Sequence, residues 1–172
     1  MEIVTIDTNI LPLEALEQAA AQTGYTFAVV SVTHRELEGT DLSEGAQALE
    51  TIPETMVFDE SCWGTSVLSD LRDAENLEAI LKIISSGSFP KPPYRANLTD
   101  PQRNQLRDAM ILQSHIRTGR ANFVSKDGKA YVRHGKREVL EQRFGIKIFT
   151  KDEFIEHCHE RTHQLNSTSS RT

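Results

Sequence analysis

Four acidic side chains in this chain fall where they can meet although the sequence separates them widely: Asp7, Glu36, Asp108 and Asp127. Asp7 ends a short β-branched run, EIVTI. Asp127 comes two residues after the apolar run ANFV, again at the carboxyl end of an expected strand. In an open parallel sheet that edge is where ligands bind, because the crossover connections leave a crevice there. Glu36 opens the segment after the second apolar run, so it belongs to the same edge, and Asp108 lies two turns into a helix that Pro101 begins. Four carboxylates brought together repel one another unless a divalent cation neutralises them. Oxygen-only donors select a hard ion, Mg²⁺ or Mn²⁺. The cluster His157, Cys158, His159 and His163 is a weaker candidate, since adjacent residues on a helix cannot all face one ion and no second cysteine pair accompanies them. It is read as incidental.

The elements that must position these acids follow from apolar periodicity. Residues 2–6 and 26–32 read as buried strands. A helix with Pro12 in its first turn and Leu13, Leu16, Ala19 and Ala20 on one face lies between them, closed by Gly24. Thr33 reads as the cap of a short helix that stops before Gly39. Residues 55–58 (TMVF) are the candidate for a third strand. Helical spacing runs over 66–84, and the Pro-, Gly- and Ser-rich stretch 85–97 reads as a loop. A helix is expected from Pro101 to about Arg117, a strand over 121–125, a basic helix over about 130–143, a strand over 145–149 and a closing helix over 151–159. Strand–helix alternation is the rhythm of a parallel sheet flanked by helices.

The chain has 172 residues, which implies one domain with a sizeable core. No apolar run is long enough to span a membrane, and two cysteines do not make a disulfide framework, so a cytoplasmic location is expected. The net charge of −6 conceals an asymmetry. Residues 1–100 carry five Lys/Arg against seventeen Asp/Glu, whereas residues 117–151 carry ten against three. The basic stretch makes Arg120, Lys126, Lys129, Arg133 and Lys136 candidates to hold substrate phosphates, against the plainer reading of a solvated surface. His115 reads as a surface histidine near the face of Asp108, and Trp63 as a packing or loop contact.

Taken in order, TIDTN, VSVTHRELEG, LRDAMILQSH, FVSKDG and GIKIFTKDEF resemble the PIN-domain family over residues 2–155. In that family an Asp-x-Asn follows the first strand, an acid stands in an E-L pair after the second, an Asp lies in an Asp-Ala helix, and a fourth follows a strand ending in Thr/Ser-x-Asp. The resemblance puts Asp7, Glu36, Asp108 and Asp127 in the acidic positions, with Asn9 and Ser125 as the polar residues that orient them. It implies a doubly wound, three-layer α/β fold with about five parallel strands, spanning residues 1–159, with a helical and Pro-rich insertion at about 60–98 and a disordered tail at 160–172. The implied activity is Mg²⁺- or Mn²⁺-dependent endoribonuclease hydrolysis of RNA. For a toxin of the VapC kind, an antitoxin protein and a homodimeric state are implied as well; the long gap between Glu36 and Asp108 speaks for a stand-alone nuclease instead. The rival is a PIN-like module that binds RNA or protein without cutting. A phosphatase of the haloacid dehalogenase type is excluded, because its acid/base Asp would stand where Asn9 does.

Overall fold

The first strand, β1 (Glu2–Ile6), carries β-branched residues at four of its five positions and lies between two others. β2 (Tyr25–Val30) pairs with it on one side and β6 (Asn122–Val124) on the other, both parallel. β3 (Glu50–Ile52) extends the sheet beyond β2, and β7 (Lys147–Phe149) beyond β6. The order β3-β2-β1-β6-β7 makes a five-stranded parallel sheet whose direction of winding reverses between β1 and β6. In such sheets that reversal opens a crevice at the carboxyl ends. The computed structural model describes residues 1–169.

Parallel strands are buried on both faces, and alternate side chains feed two cores. Ala28, Val30, Phe123 and Ile148 face α4 (Leu71–Ile84), α5 (Asp100–Arg117) and α6 (Lys136–Phe144). Val4, Ile6, Phe27, Val29 and Val124 face α1 (Glu14–Ala20) and α7 (Lys151–Ser169). Two shorter helices, α2 (Ser31–Glu36) and α3 (Ser43–Gln47), follow β2. The result is a three-layer α/β arrangement. Among the described residues no helix is long and apolar enough to cross a membrane.

Several elements differ from the sequence reading. The third strand is 50–52, not TMVF; as an edge strand it buries only Ile52, so it lacks an apolar run. Thr55 instead joins a two-residue ladder, β4 (Glu54–Thr55) with β5 (Ser66–Val67). The helix expected from residue 66 starts at Leu71, where Asp70 and Asp73 form a capping box. Thr33 is inside α2, and Pro12 precedes α1 instead of opening it. The basic helix is broken in two. A π-helical turn covers Gly128–Val132, and left-handed backbone at His134 (φ 61°) and Gly135 (φ 73°) separates it from α6. The closing helix does not stop at 159 but continues to Ser169. Arg161 is held there by Glu2 and by the Tyr25 hydroxyl. The remaining part of the expected disordered tail, 170–172, lies outside the described residues.

Within the segment 60–98, read as an insertion, helix α4 is part of the core. Ile80, Leu81 and Ile84 of α4 are fully buried against α5 and the sheet. A buried chain of hydrogen bonds locks the same layer: Thr55 Oγ1 donates to Gln113 (2.6 Å), and Gln113 Nε2 donates to Asp73 (2.8 Å). Removing the Ile80 side chain to Cβ therefore leaves a cavity in the main core. Ile80→Ala is expected to lower the unfolding free energy by about 3 kcal/mol, measured by urea denaturation. A change below about 1 kcal/mol would show that α4 is peripheral.

Candidate active site at the sheet crossover

Asp7 leaves β1 at the point where the winding reverses. Its backbone N–H donates to Val124 O (2.9 Å), so the end of β1 is held against β6. The side chain is only 2% exposed. A buried carboxylate is tolerable only when its oxygens are bonded, and these are. Oδ1 accepts from Thr8 N (2.8 Å), and Oδ2 from Asn9 Nδ2 (2.8 Å) and Ser125 Oγ (2.6 Å). Ser125 Oγ in turn accepts from Asp127 N (2.9 Å), and Asn9 Oδ1 from Lys126 N (2.8 Å). Asn9 and Ser125 thus clamp the turn after β1 to the turn after β6.

The other acids arrive from three different elements. Asp127 caps the π-helical turn, its Oδ1 accepting from Lys129 N (2.7 Å) and Ala130 N (2.8 Å), and its second oxygen has no hydrogen bond among the described residues. Glu36, at the end of α2, accepts from Thr8 Oγ1, which lies 3.1 Å from Thr33 Oγ1. Its helix is fixed from below: Arg35 forks onto the buried Glu54 (2.6 and 2.7 Å), which Ser31 also bonds. Glu38, the next acid along the chain, is exposed. Asp108 projects from α5, and its carboxyl has neither a hydrogen bond nor a cation among the described residues. Arg103 and Arg107, the obvious partners, both turn to Glu60 instead.

Charge interactions connect the four acids through Asp7 and Asp108. Burial pushes the Asp7 carboxyl from 3.8 to about 6; the bonds from Ser125 and Thr8 oppose this, and the charges of Glu36 and Asp127 add to it. Burial pushes Asp108 up to about 8, reinforced by the charges of Asp7, Asp127 and Glu36. Asp108 is thus within electrostatic reach of the other three acids, and Asp7 within reach of Glu36 and Asp127. Among the described residues, however, no three His, Cys, Asp or Glu side chains form a ready-made ligand group for an ion.

Sequence reading missed three residues of this site. Tyr131 is fully buried, donates from its hydroxyl to Asp108 O (2.8 Å) and packs edge-on to Phe123. Burial first, and then the four nearby carboxylates, raise its phenol well above 10, so it is a neutral wall of the site. Only its position four residues after Asp127 could have signalled this. Thr8 and Thr33 are the others, each hidden inside a motif that draws attention to its acid.

Of the basic candidates, Lys126, Lys129 and Arg133 stay exposed on the segment that flanks Asp127. Arg120 does not: it precedes β6, at the amino ends of the strands, and is paired with Glu50. Lys136 is also committed, its Nζ donating to Ile84 O (2.5 Å) and Lys129 O (2.7 Å). His115 is not a surface residue but wholly buried, with Nδ1 2.9 Å from Thr5 Oγ1. Trp63 is not packed: 86% of it is exposed. His157 lies 2.8 Å from the Tyr25 hydroxyl, and Cys158 is buried in the α7 core.

No known family model matches the chain, and no curated protein matches it.

Two outcomes follow from the electrostatics. The folded chain holds the Asp108 proton up to about pH 8 and the unfolded chain only to 3.8, so folding takes up a proton in between. Stability then falls as pH rises through that window. In chelator, Asp108→Asn is expected to raise Tm by about 5 °C or more at pH 8.5 and by little at pH 4. An equal gain at both would mean that charge is not the cause. Burial, with the Arg120 charge added, holds His115 down at about 3 against its ordinary 6.5. The unfolded chain therefore binds that proton first, and this contribution to stability is lost as pH drops from 6.5 toward 3. Its ring NMR signals should stay unshifted from pH 8 to about pH 4; a midpoint near 6.5 would place it in water.

Proposed function

We propose that the chain is a ribonuclease of the PIN-domain type that its sequence resembles, hydrolysing RNA phosphodiester bonds with Mg²⁺ or Mn²⁺ held by Asp7, Glu36, Asp108 and Asp127. One observation carries this reading. Four carboxylates from distant parts of the chain, following β1 and β6 and on α2 and α5, are coupled through the charges acting on Asp7 and Asp108, and none has a Lys or Arg partner among the described residues. Such an arrangement is costly for folding and gains its purpose from a cation. The donor set is all oxygen, which is the chemistry a hard divalent ion requires. When bound, the ion supplies Lewis-acid activation of water and neutralises charge developing at phosphorus.

The chain's own residues have distinct tasks. Asn9 and Ser125 fix the Asp7 carboxylate in one orientation through Oδ2. Asp127 keeps one oxygen free while the other secures its turn. Asp108 has no bond to surrender and is the freest to turn toward an ion. Tyr131 closes the floor against water. Lys126, Lys129 and Arg133 stand beside Asp127 to receive phosphates.

A second reading has an observation in its favour. Since no three acids among the described residues form a ready ligand group, a PIN-like module that binds RNA or protein without cutting would have the same resting site. Cleavage separates the two. Structured RNA incubated with Mn²⁺ should be cut by the parent, and the rate should fall at least about 100-fold in Asp7→Asn and Asp127→Asn. Cutting that persists in both variants, or is absent in the parent across many RNAs, removes the nuclease reading. Expression in a bacterial host addresses the toxin setting: growth arrest that requires Asp7 supports it, and normal growth supports a stand-alone nuclease.

A further inference from the structure

Two cavities lie side by side on the outer face of the α4–α6 layer. One, of about 590 Å³, is lined by the last turns of α4 and by α6 with the bend before it. The other, of about 320 Å³, runs from α4 along the following loop as far as Arg95. They share Glu78 and Lys82 and so form one continuous open cleft. Its charged lining is one-sided: Lys82, Lys91, Arg95, Lys136 and Arg143 against Glu78, with Glu138 at the rim beside Gly135.

This concentration is not a consequence of composition. Residues 1–100 hold only five basic side chains among seventeen acids, yet three of the five line this cleft. The basic stretch after residue 117 contributes the other two. Arg95 forks onto Glu78 (2.7 and 2.8 Å) and cancels the one acid. Lys136 is bound to two carbonyls, which leaves Lys82, Lys91 and Arg143 without a carboxylate partner among the described residues. Three unpaired cations over an open hollow attract a polyanion.

Hydrogen bonds tie the lining of the cleft to the turn that carries Asp127. Lys136 Nζ bonds Lys129 O, and Lys129 N bonds Asp127 Oδ1. The cleft therefore begins one short turn from Asp127, with exposed Lys129 and Arg133 between. An extended strand whose scissile phosphate lay at the carboxylates would find its next positive surface here.

We infer that the cleft between the end of α4 and the start of α6 binds the phosphates of an RNA strand flanking the cleavage position, with Lys82, Lys91 and Arg143 as its free cations. The choice of RNA rests on the nuclease reading; the recognition of a phosphodiester backbone rests on the cleft alone.

The test is fluorescence anisotropy of a labelled single-stranded RNA with the full chain in EDTA, where binding is read without cutting. Lys82→Glu with Arg143→Glu is compared with a control of equal charge change outside the cleft, Arg72→Glu with Lys147→Glu. The cleft pair should weaken binding at least about tenfold and make the slope of log K against log salt shallower by roughly 1.4, the value for two lost single-strand phosphate contacts. The control should change neither as much. Unaltered binding in the cleft pair, an equal loss in the control, no binding by the parent, or a preference for duplex DNA of the same length overturns the assignment. Cleavage with Mn²⁺ is measured in parallel. A parent that binds through the cleft but never cuts retains the cleft and loses the nuclease; a parent that cuts while the cleft pair binds normally does the reverse.

Discussion

A carboxylate withdrawn from water must be bonded or neutralised, and Asp7 is withdrawn almost completely at the one place where the sheet changes direction. The clamp of Ser125 and Asn9 around it joins the turns after β1 and β6. Beyond the ladder between β1 and β6, those bonds fix how the two turns that carry Asp7 and Asp127 sit against each other. Once they are fixed, Glu36 and Asp108 need only reach the same opening from helices that the two cores already hold in place.

The chemistry at this edge sits awkwardly with stability. Asp108 has no partner among the described residues, and its carboxyl is pushed up to about 8 by burial and by its neighbours. Natural proteins keep such conflicts where function requires them. The surroundings supply compensation: the Arg35–Glu54 fork, the Gln113–Asp73 bond and the packing of Tyr131 on Phe123 all lie in the layer beneath or beside the acids. Charge is also sorted in space, with four coupled acids at the strand crossover and three of the five basic residues of the acidic half lining the cleft beside α4.

Much of this was legible in the residues. The parallel sheet followed from β-branched runs that alternate with helical spacing, and the placement of Asp7, Asn9, Ser125 and Asp127 at strand ends followed from where those runs stop. What stayed hidden has physical causes. β3 buries one side chain, so an edge strand left no periodic trace. The break before α6 depends on left-handed backbone at His134, a residue type that does not announce it. Lys136 and Arg120 counted as free cations because sequence records charge and not partners; one is spent on carbonyls and the other on Glu50. His115 is buried because its helix position faces Thr5 of the central strand, a contact across more than a hundred residues.

That central strand has one more consequence. β1 is made first, yet its neighbour β6 lies about 120 positions later along the chain. As the polypeptide leaves the ribosome, Asp7 and Glu36 emerge with only β2 and β3 to lean on, and the sheet still lacks two of its five strands. The crevice has no second wall until Asp127 is synthesised, and no outer support until β7 follows. A nascent or prematurely terminated chain consequently has no assembled acidic centre, so whatever this crevice does is withheld until translation of the fold is nearly complete.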